Sequence, residues 1–144
     1  VDAEATIVGA GVVGAATALA LARRGVSVAV LEAEPEPALG ASGANSGILH
    51  TGFDSVPGEL ETELILRSAT LRSPVLEALG VPVVRCGAIV PASEELVANA
   101  RRNRVAVSPR DVGLAEVPGE AVTDPVAYTA GLVRAAQRAG ADVR

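Results

Sequence analysis

A glycine turn set between two apolar runs constrains this chain more than any other feature. Ala5 to Glu32 reads ATIVGAGVVGAATALALARRGVSVAVLE. A β-branched run, Thr6-Ile7-Val8, enters Gly9-Ala10-Gly11-Val12-Val13-Gly14, a helical segment follows to Arg24, and a second apolar run, Val26 to Leu31, stops at Glu32. Glycine at 9 permits the tight turn, glycine at 11 lets a pyrophosphate approach the backbone, and glycine at 14 lets helix and strand pack closely. The free N–H groups and the positive end of the helix dipole then face the phosphates. Glu32 lies 18 residues after Gly14, where a carboxylate can accept hydrogen bonds from both ribose hydroxyls. A 2′-phosphate would meet like charge there, which disfavours NADP. The turn thus reads as a dinucleotide site in a parallel α/β unit.

The totals narrow the partners. The chain has 144 residues, is 49% hydrophobic and 20% charged, and carries a net charge of −5. An acidic chain without a basic stripe argues against nucleic acid. With Phe53 and Tyr128 as the only aromatics, base-stacking platforms are absent too. Cys86 is the only cysteine, so an internal disulfide and a cysteine-based zinc site are excluded and a reducing cytoplasm is expected. No apolar run reaches the roughly 18 residues of a membrane span; peripheral membrane contact stays open. The chain contains no Met, and Ala141 to Arg144 reads as the start of a new strand; a fragment of a longer protein is expected.

Further elements follow from pattern. The Ala-rich first helix is apolar on nearly every face, as a buried helix is. Glu34 to Gly47 holds two prolines and then a loop of small residues. Pro57-Gly58 opens a helix to about Leu79, in which Leu60, Leu64, Leu71, Val75 and Leu79 form one apolar stripe and Pro74 predicts a kink or break. Val81 to Pro91 reads as two antiparallel strands about a glycine turn, with Cys86 a small buried hydrophobe between them. Ser93 caps a short acidic-started helix that ends in the solvated run Arg101-Arg102-Asn103-Arg104. Glu59, Glu61 and Glu63 face water. Val105 to Gly119 gives no assignment. Asp124 as N-cap and Pro125 at the first helical position open a last helix with Leu132, Val133 and Ala136 on its core face.

Three motifs resemble the N-terminal part of FAD-dependent oxidoreductases of the D-amino-acid-oxidase and glycerol-3-phosphate-dehydrogenase superfamily: IVGAGVVGAATALALARRGVSVAVLE, GASGANSGILHTGF and VTDPVAYTAGLVRAAQRAGADV. GASGANSGILHTGF followed by PGEL looks nearest to L-2-hydroxyglutarate and glycerol-3-phosphate dehydrogenases. The resemblance implies a Rossmann-like FAD/NAD(P)-binding parallel sheet with the start of an inserted α+β substrate domain. On that reading residues 1–80 are the first part of the FAD-binding domain, 81–122 a partial substrate domain, and 123–144 the return to the FAD-binding domain. Residues 93–121 are short for their counterpart, and family members continue well past this length.

It also implies roles. Gly9, Gly11 and Gly14 would hold the FAD pyrophosphate and Glu32 the adenosine ribose. Ser42, Gly43, Asn45, Ser46 and Gly47 would run beside the pyrophosphate and ribityl chain; from the residues alone, Asn45 and Ser46 read equally well as turn residues. His50 would stand at the flavin as the group that takes a hydroxyl or amine proton, or, as in some relatives, attach flavin covalently. Its plainer reading is a partly exposed loop histidine bonded to backbone. The expected activity is oxidation of a small hydroxy acid, glycerol 3-phosphate or amine, with an electron acceptor that the residues do not identify. Two other classes compete: an NAD-dependent dehydrogenase or reductase, which Gly9 to Glu32 alone would fit, and a nucleotide-binding module without chemistry. No metal site is expected.

Overall fold

The structure is a computed structural model and describes residues 2–144. The chain divides into two compact units. The first holds the residues up to Gly47 together with Ala78–Val81 and Asp124–Arg144; the second holds Ile48–Glu77 and Pro82–Thr123.

The first unit is a parallel sheet with two helices. β1 (Ala5–Val8) pairs in parallel with β2 (Val28–Leu31) through α1 (Val12–Ala22). β2 pairs in turn with the terminal strand β9 (Asp142–Val143), giving the order β1-β2-β9. The central strand explains its own composition. Val28, Ala29 and Val30 are all buried, as a strand flanked on both edges and covered requires. The helix before β9 is α4 (Pro125–Arg138). Its start is the one the sequence predicts: Asp124 accepts the N–H groups of Val126 and Ala127 at 2.9 Å each, and Pro125 needs no partner there. Leu132, Val133 and Ala136 are buried, and α4 packs on α1.

α1 is less enclosed than its composition suggests. It buries Ala15, Ala18, Leu19 and Ala22, while Val13, and Val8 at the end of β1, stand 77% and 86% exposed. Among the described residues β1 is the edge strand of its sheet. Alanine-rich helices bury by close approach, and here the neighbours approached are β1, β2 and α4.

The second unit carries two antiparallel sheets. β3 (Ile48–Leu49) and β4 (Val83–Val84) flank β8 (Ala121–Thr123) in the order β3-β8-β4. β5 (Ala88–Pro91) and β6 (Ser108–Pro109) flank β7 (Leu114–Val117) in the order β5-β7-β6. The expected hairpin between β4 and β5 is therefore not formed. Each strand pairs with a later segment, Val83 with Thr123 and Ala88 with Val117, and Gly87 turns the chain from one sheet to the other. Cys86, in that connection, is exposed rather than buried. α3 (Glu94–Arg102) begins as predicted, with Ser93 Oγ accepting the Leu96 N–H at 3.1 Å. Phe53, Ala100 and Val117 form the small core, with Ala88, Val90, Leu96, Val105 and Val107 against them. Asn103 is not solvated with its arginine neighbours. It is buried, and its Nδ2 donates to the carbonyls of Gly52 and Ser55 at 2.8 Å.

α2 (Leu60–Leu79) departs most from its pattern. The helix runs through Pro74 without a break. Pro74 and Thr70, whose carbonyl loses its amide partner, are both exposed, so water can satisfy what the ring removes. The apolar stripe faces out: Leu60, Leu64 and Leu71 are 71%, 56% and 54% exposed. The opposite side is the buried one, with Thr62 and Leu76 at 2% each. Two polar anchors fix that rotation. Thr62 Oγ1 donates to the Val56 carbonyl at 2.5 Å, and the Arg72 guanidinium donates to the His50 carbonyl. The β3 pairing with β8 and the bonds of Asn103 to Gly52 and Ser55 tie residues 48–77 to 82–123.

Candidate functional site

In the first unit the glycine turn and the end of β2 close on each other. Gly9 has φ +94°, and its N–H donates to the Leu31 carbonyl at 2.7 Å. The chain then turns into α1 with Gly11 at the N-cap, which offers no side chain to the helix end. A Cβ on Gly14 would lie 2.0 Å from the Gly9 carbonyl oxygen and 3.2 Å from Ile7 Cγ2. Only hydrogen fits there, and that absence is what seats the helix on the strand.

Glu32 reaches this turn. Its Oε2 accepts the Ala10 N–H at 2.6 Å, and its Oε1 accepts those of Ala33 and Glu34 at 2.9 and 3.1 Å. These hydrogen bonds, Glu34's first and then Ala10's, hold the carboxyl below its ordinary titration range. A carboxylate offers about four lone-pair sites, so the three bonds leave acceptor capacity on a fixed anion.

The small-residue loop comes back to the same helix end. Ser42 Oγ accepts the Val12 N–H at 2.9 Å, and a Cβ on Gly11 would stand 3.0 Å from that oxygen. Gly43 passes so near the Ala38 carbonyl that a Cβ would meet it at 1.9 Å. Gly9, Gly11, Gly14, Glu32, Ser42 and Gly43 are therefore gathered at one place. Asn45 Oδ1 accepts the N–H of Gly47 at 2.8 Å, a turn within its own loop. Asn45 and Ser46 are exposed and Gly47 is buried.

Beside Glu32 opens a cavity of 470 Å³. Ala10, Glu32, Glu34 and Pro35 line one side; Val126, Ala130, Val133, Arg134 and Gln137 of α4 line another, with Arg144 at the strand end. From the sequence these α4 residues have no place at the site, and Val133 belongs only to the core face. Their spacing along one helical face was the signal available, since it mixes apolar Val126, Ala130 and Val133 with polar Arg134 and Gln137.

The site fits a dinucleotide on its own geometry. A glycine turn packed closely on its strand, a helix N-terminus with no capping side chain from its own N-cap residue, a fixed carboxylate and an adjoining cavity are what a pyrophosphate and an adenosine require.

Comparison with known proteins decides which dinucleotide. The family model described as DAO, FAD dependent oxidoreductase, matches residues 4–144. This chain belongs to that family, and FAD is the family's cofactor. It is 35% identical over 94 residues to the mitochondrial L-2-hydroxyglutarate dehydrogenase of Nematostella vectensis, covering 64% of this chain and 21% of that protein. It is 33% identical over 92 residues to a glycerol 3-phosphate dehydrogenase of Caloramator mitchellensis, covering 64% of this chain and 19% of that protein. Among solved structures, glycine oxidase from Geobacillus kaustophilus matches with a TM-score of 0.80 at 26% identity, over 99% of this chain and 46% of that one. The FAD-bound L-α-glycerophosphate oxidase of Mycoplasma pneumoniae shares the fold at a TM-score of 0.88 and 24% identity, over 99% and 44%. The chain spans about a fifth of the curated relatives it matches and under half of the solved structures. The fold is the expected α/β class with a parallel dinucleotide-binding sheet.

His50 belongs to the second unit. It follows β3, is the only histidine, and its side chain is 51% exposed. Nδ1 lies 3.7 Å from Oε2 of Glu120, a side chain only 4% exposed. Glu120 Oε1 accepts both the N–H and the Oγ1–H of Thr51 at 2.7 Å. Burial lowers the pKa of the Arg72 guanidinium; the charge of Glu120 opposes this and that of Arg85 adds to it. Among the described residues no group of His, Cys, Asp and Glu could hold a metal ion, and no helix is long and apolar enough to cross a membrane.

Proposed function

We propose that this chain is the FAD-binding part, with the opening of the substrate-binding part, of a flavoprotein dehydrogenase or oxidase. Residues 1–80 and 123–144 serve the cofactor, and 81–122 begin the substrate region. The observation that carries the proposal is the Glu32 carboxylate fixed by Ala10 N–H beside a turn in which Gly14 has no room for a side chain.

Gly9, Gly11 and Gly14 hold the pyrophosphate against α1, and Glu32 holds the adenosine ribose. Ser42, Gly43, Asn45, Ser46 and Gly47 follow the pyrophosphate and ribityl chain. FAD supplies the hydride acceptor, flavin N5. The protein's part is to bind, to aim the substrate carbon and to move a proton. His50 takes the hydroxyl or amine proton as the hydride leaves carbon. The substrate is a small hydroxy acid, glycerol 3-phosphate or an amine, in line with the names its relatives carry. A second protein or a small acceptor reoxidises the flavin.

A visible spectrum of the purified full-length product tests the cofactor. Flavin absorbance at about 450 nm is expected, and a colourless protein that instead tightens on NADH would overturn it. His50→Gln tests the base. Reduction of the bound flavin by substrate should slow by about a hundredfold with the spectrum unchanged, and an unaltered rate would remove His50 from the chemistry. The proposed compartment is the cytoplasm, supported by one exposed, unpaired thiol at Cys86, and imaging of the tagged full-length product checks it.

A further inference from the structure

We infer that Glu120 is a positioning residue for His50, holding the imidazole with its proton on Nδ1 and Nε2 bare. The inference rests on the proposed role of His50 and adds to it a partner 70 residues away in sequence. A carboxylate that is 4% exposed must be satisfied within the fold. Thr51 satisfies one half only, since its N–H and its hydroxyl both donate to Oε1 at 2.7 Å. Oε2 is left facing the imidazole, and among the described residues His50 is the only group within ion-pair distance of Glu120.

At 3.7 Å the contact is electrostatic rather than a closed hydrogen bond. Contacts of this kind shorten in ligand-bound enzymes. The ring edge that faces Glu120 is Nδ1, so Nε2 lies on the other side of a side chain that is 51% exposed.

A buried acceptor against Nδ1 selects the tautomer that carries its proton there. The same carboxylate stabilises the imidazolium formed when Nε2 takes a substrate proton, the division of labour seen between the acid and histidine of hydrolase triads. Arg72 sets the backbone beneath the ring by donating to the His50 carbonyl.

Glu120→Gln separates this role from a structural one. The glutamine oxygen can still accept both Thr51 donors, so the packing survives, but the group then facing Nδ1 is an amide NH₂ that donates. The expected result is a reversed ring: proton on Nε2, seen in two-bond ¹H–¹⁵N spectra of ¹⁵N-labelled full-length protein and assigned through His50→Gln. In the FAD-loaded enzyme kcat should fall about tenfold or more with KM within about twofold. Thr51→Val, which removes one anchor of the carboxylate, should give a mixed tautomer and a smaller fall; it carries the test if Glu120→Gln does not fold. An Nδ1–H ring that persists in Glu120→Gln overturns the inference, and so does a reversed ring with unchanged kcat. If His50→Gln itself keeps full activity, the base assignment fails, and the tautomer spectra still decide whether Glu120 sets the ring.

Discussion

The glycine turn of the first unit and the His50–Glu120 cluster of the second solve different problems with different materials. The turn is made of backbone. It presents N–H donors at the end of α1, and its shape, like that of the Gly43 loop beside it, comes from missing side chains: a Cβ on Gly14 or Gly43 would stand about as close to a carbonyl oxygen as a hydrogen-bonded proton does, at 2.0 and 1.9 Å. The cluster works with side chains and charge. Glu120 faces the imidazole, Thr51 holds Glu120, and Arg72 holds the His50 carbonyl. A site of the first kind is broken by adding volume; one of the second kind is broken by removing charge while keeping volume.

Gly14→Ala tests the first half of that contrast and carries the largest effect. A methyl group 2.0 Å from the Gly9 carbonyl cannot be accommodated without moving α1 off β1. Overpacking of this sort costs about 3 kcal/mol, and the displaced turn no longer presents its N–H groups to a phosphate. Urea denaturation without flavin should show the loss of stability, and the purified variant should be colourless. Retained colour and an unchanged midpoint would mean that the turn is roomier than its geometry shows.

This difference in material also explains how much could be read from the sequence. The turn was legible because every group in it falls within one local run, from Gly9 to Glu32, and each glycine has a separate steric reason. The caps of α3 and α4 were legible for the same reason, since Ser93 and Asp124 act on amides two or three residues away. Glu120 was not legible. Nothing local distinguishes it, and its meeting with Thr51 and His50 depends on β8 pairing with β3. The α2 stripe misled by the same route: its period was real, but Thr62 and Arg72, polar residues bonded to loop carbonyls, turned the leucines outward. Likewise β4 and β5 had strand composition, and only the positions of β7 and β8 decided that they would not pair with each other. Local chemistry predicts itself; partners distant in sequence have to be seen.

Glu32 stands between the two kinds of site, a side chain that acts through backbone donors, and pH sharpens the comparison there. Its hydrogen bonds, to Glu34 first and then Ala10, depress its titration below the ordinary value of 4.5. The sign follows directly. A carboxylate depressed in the folded state contributes stability above the unfolded value and loses it as pH falls through the folded one. Acidification from about 4.5 downward should therefore erode the parent's stability relative to Glu32→Gln, and the two should converge at low pH. At neutral pH the variant should bind FAD about tenfold more weakly, as loss of a charged acceptor predicts. Unfolding midpoints measured from pH 7 to pH 3 check the first expectation and flavin titration the second. A parallel pair of stability curves would show that the carboxylate contributes nothing through its charge.

Ser42 gives the smallest effect and the finest division. Sequence resemblance placed it beside the pyrophosphate, whereas the structure gives its Oγ a task already, accepting the Val12 N–H at 2.9 Å where Gly11 has no side chain to cap the helix. The two roles predict different losses from Ser42→Ala. If the hydroxyl is a cap, stability without flavin falls by about 1 kcal/mol, the usual cost of removing such an acceptor, and FAD affinity changes little because the Val12 N–H becomes free to meet a phosphate instead. If the hydroxyl donates to phosphate, affinity falls and the unliganded midpoint does not. The geometry favours the cap: one oxygen 30 residues from the amide it serves ties the small-residue loop to α1 before any ligand arrives. Denaturation and flavin titration of the same variant, read together, distinguish a loop that is held ready from one that the cofactor must order.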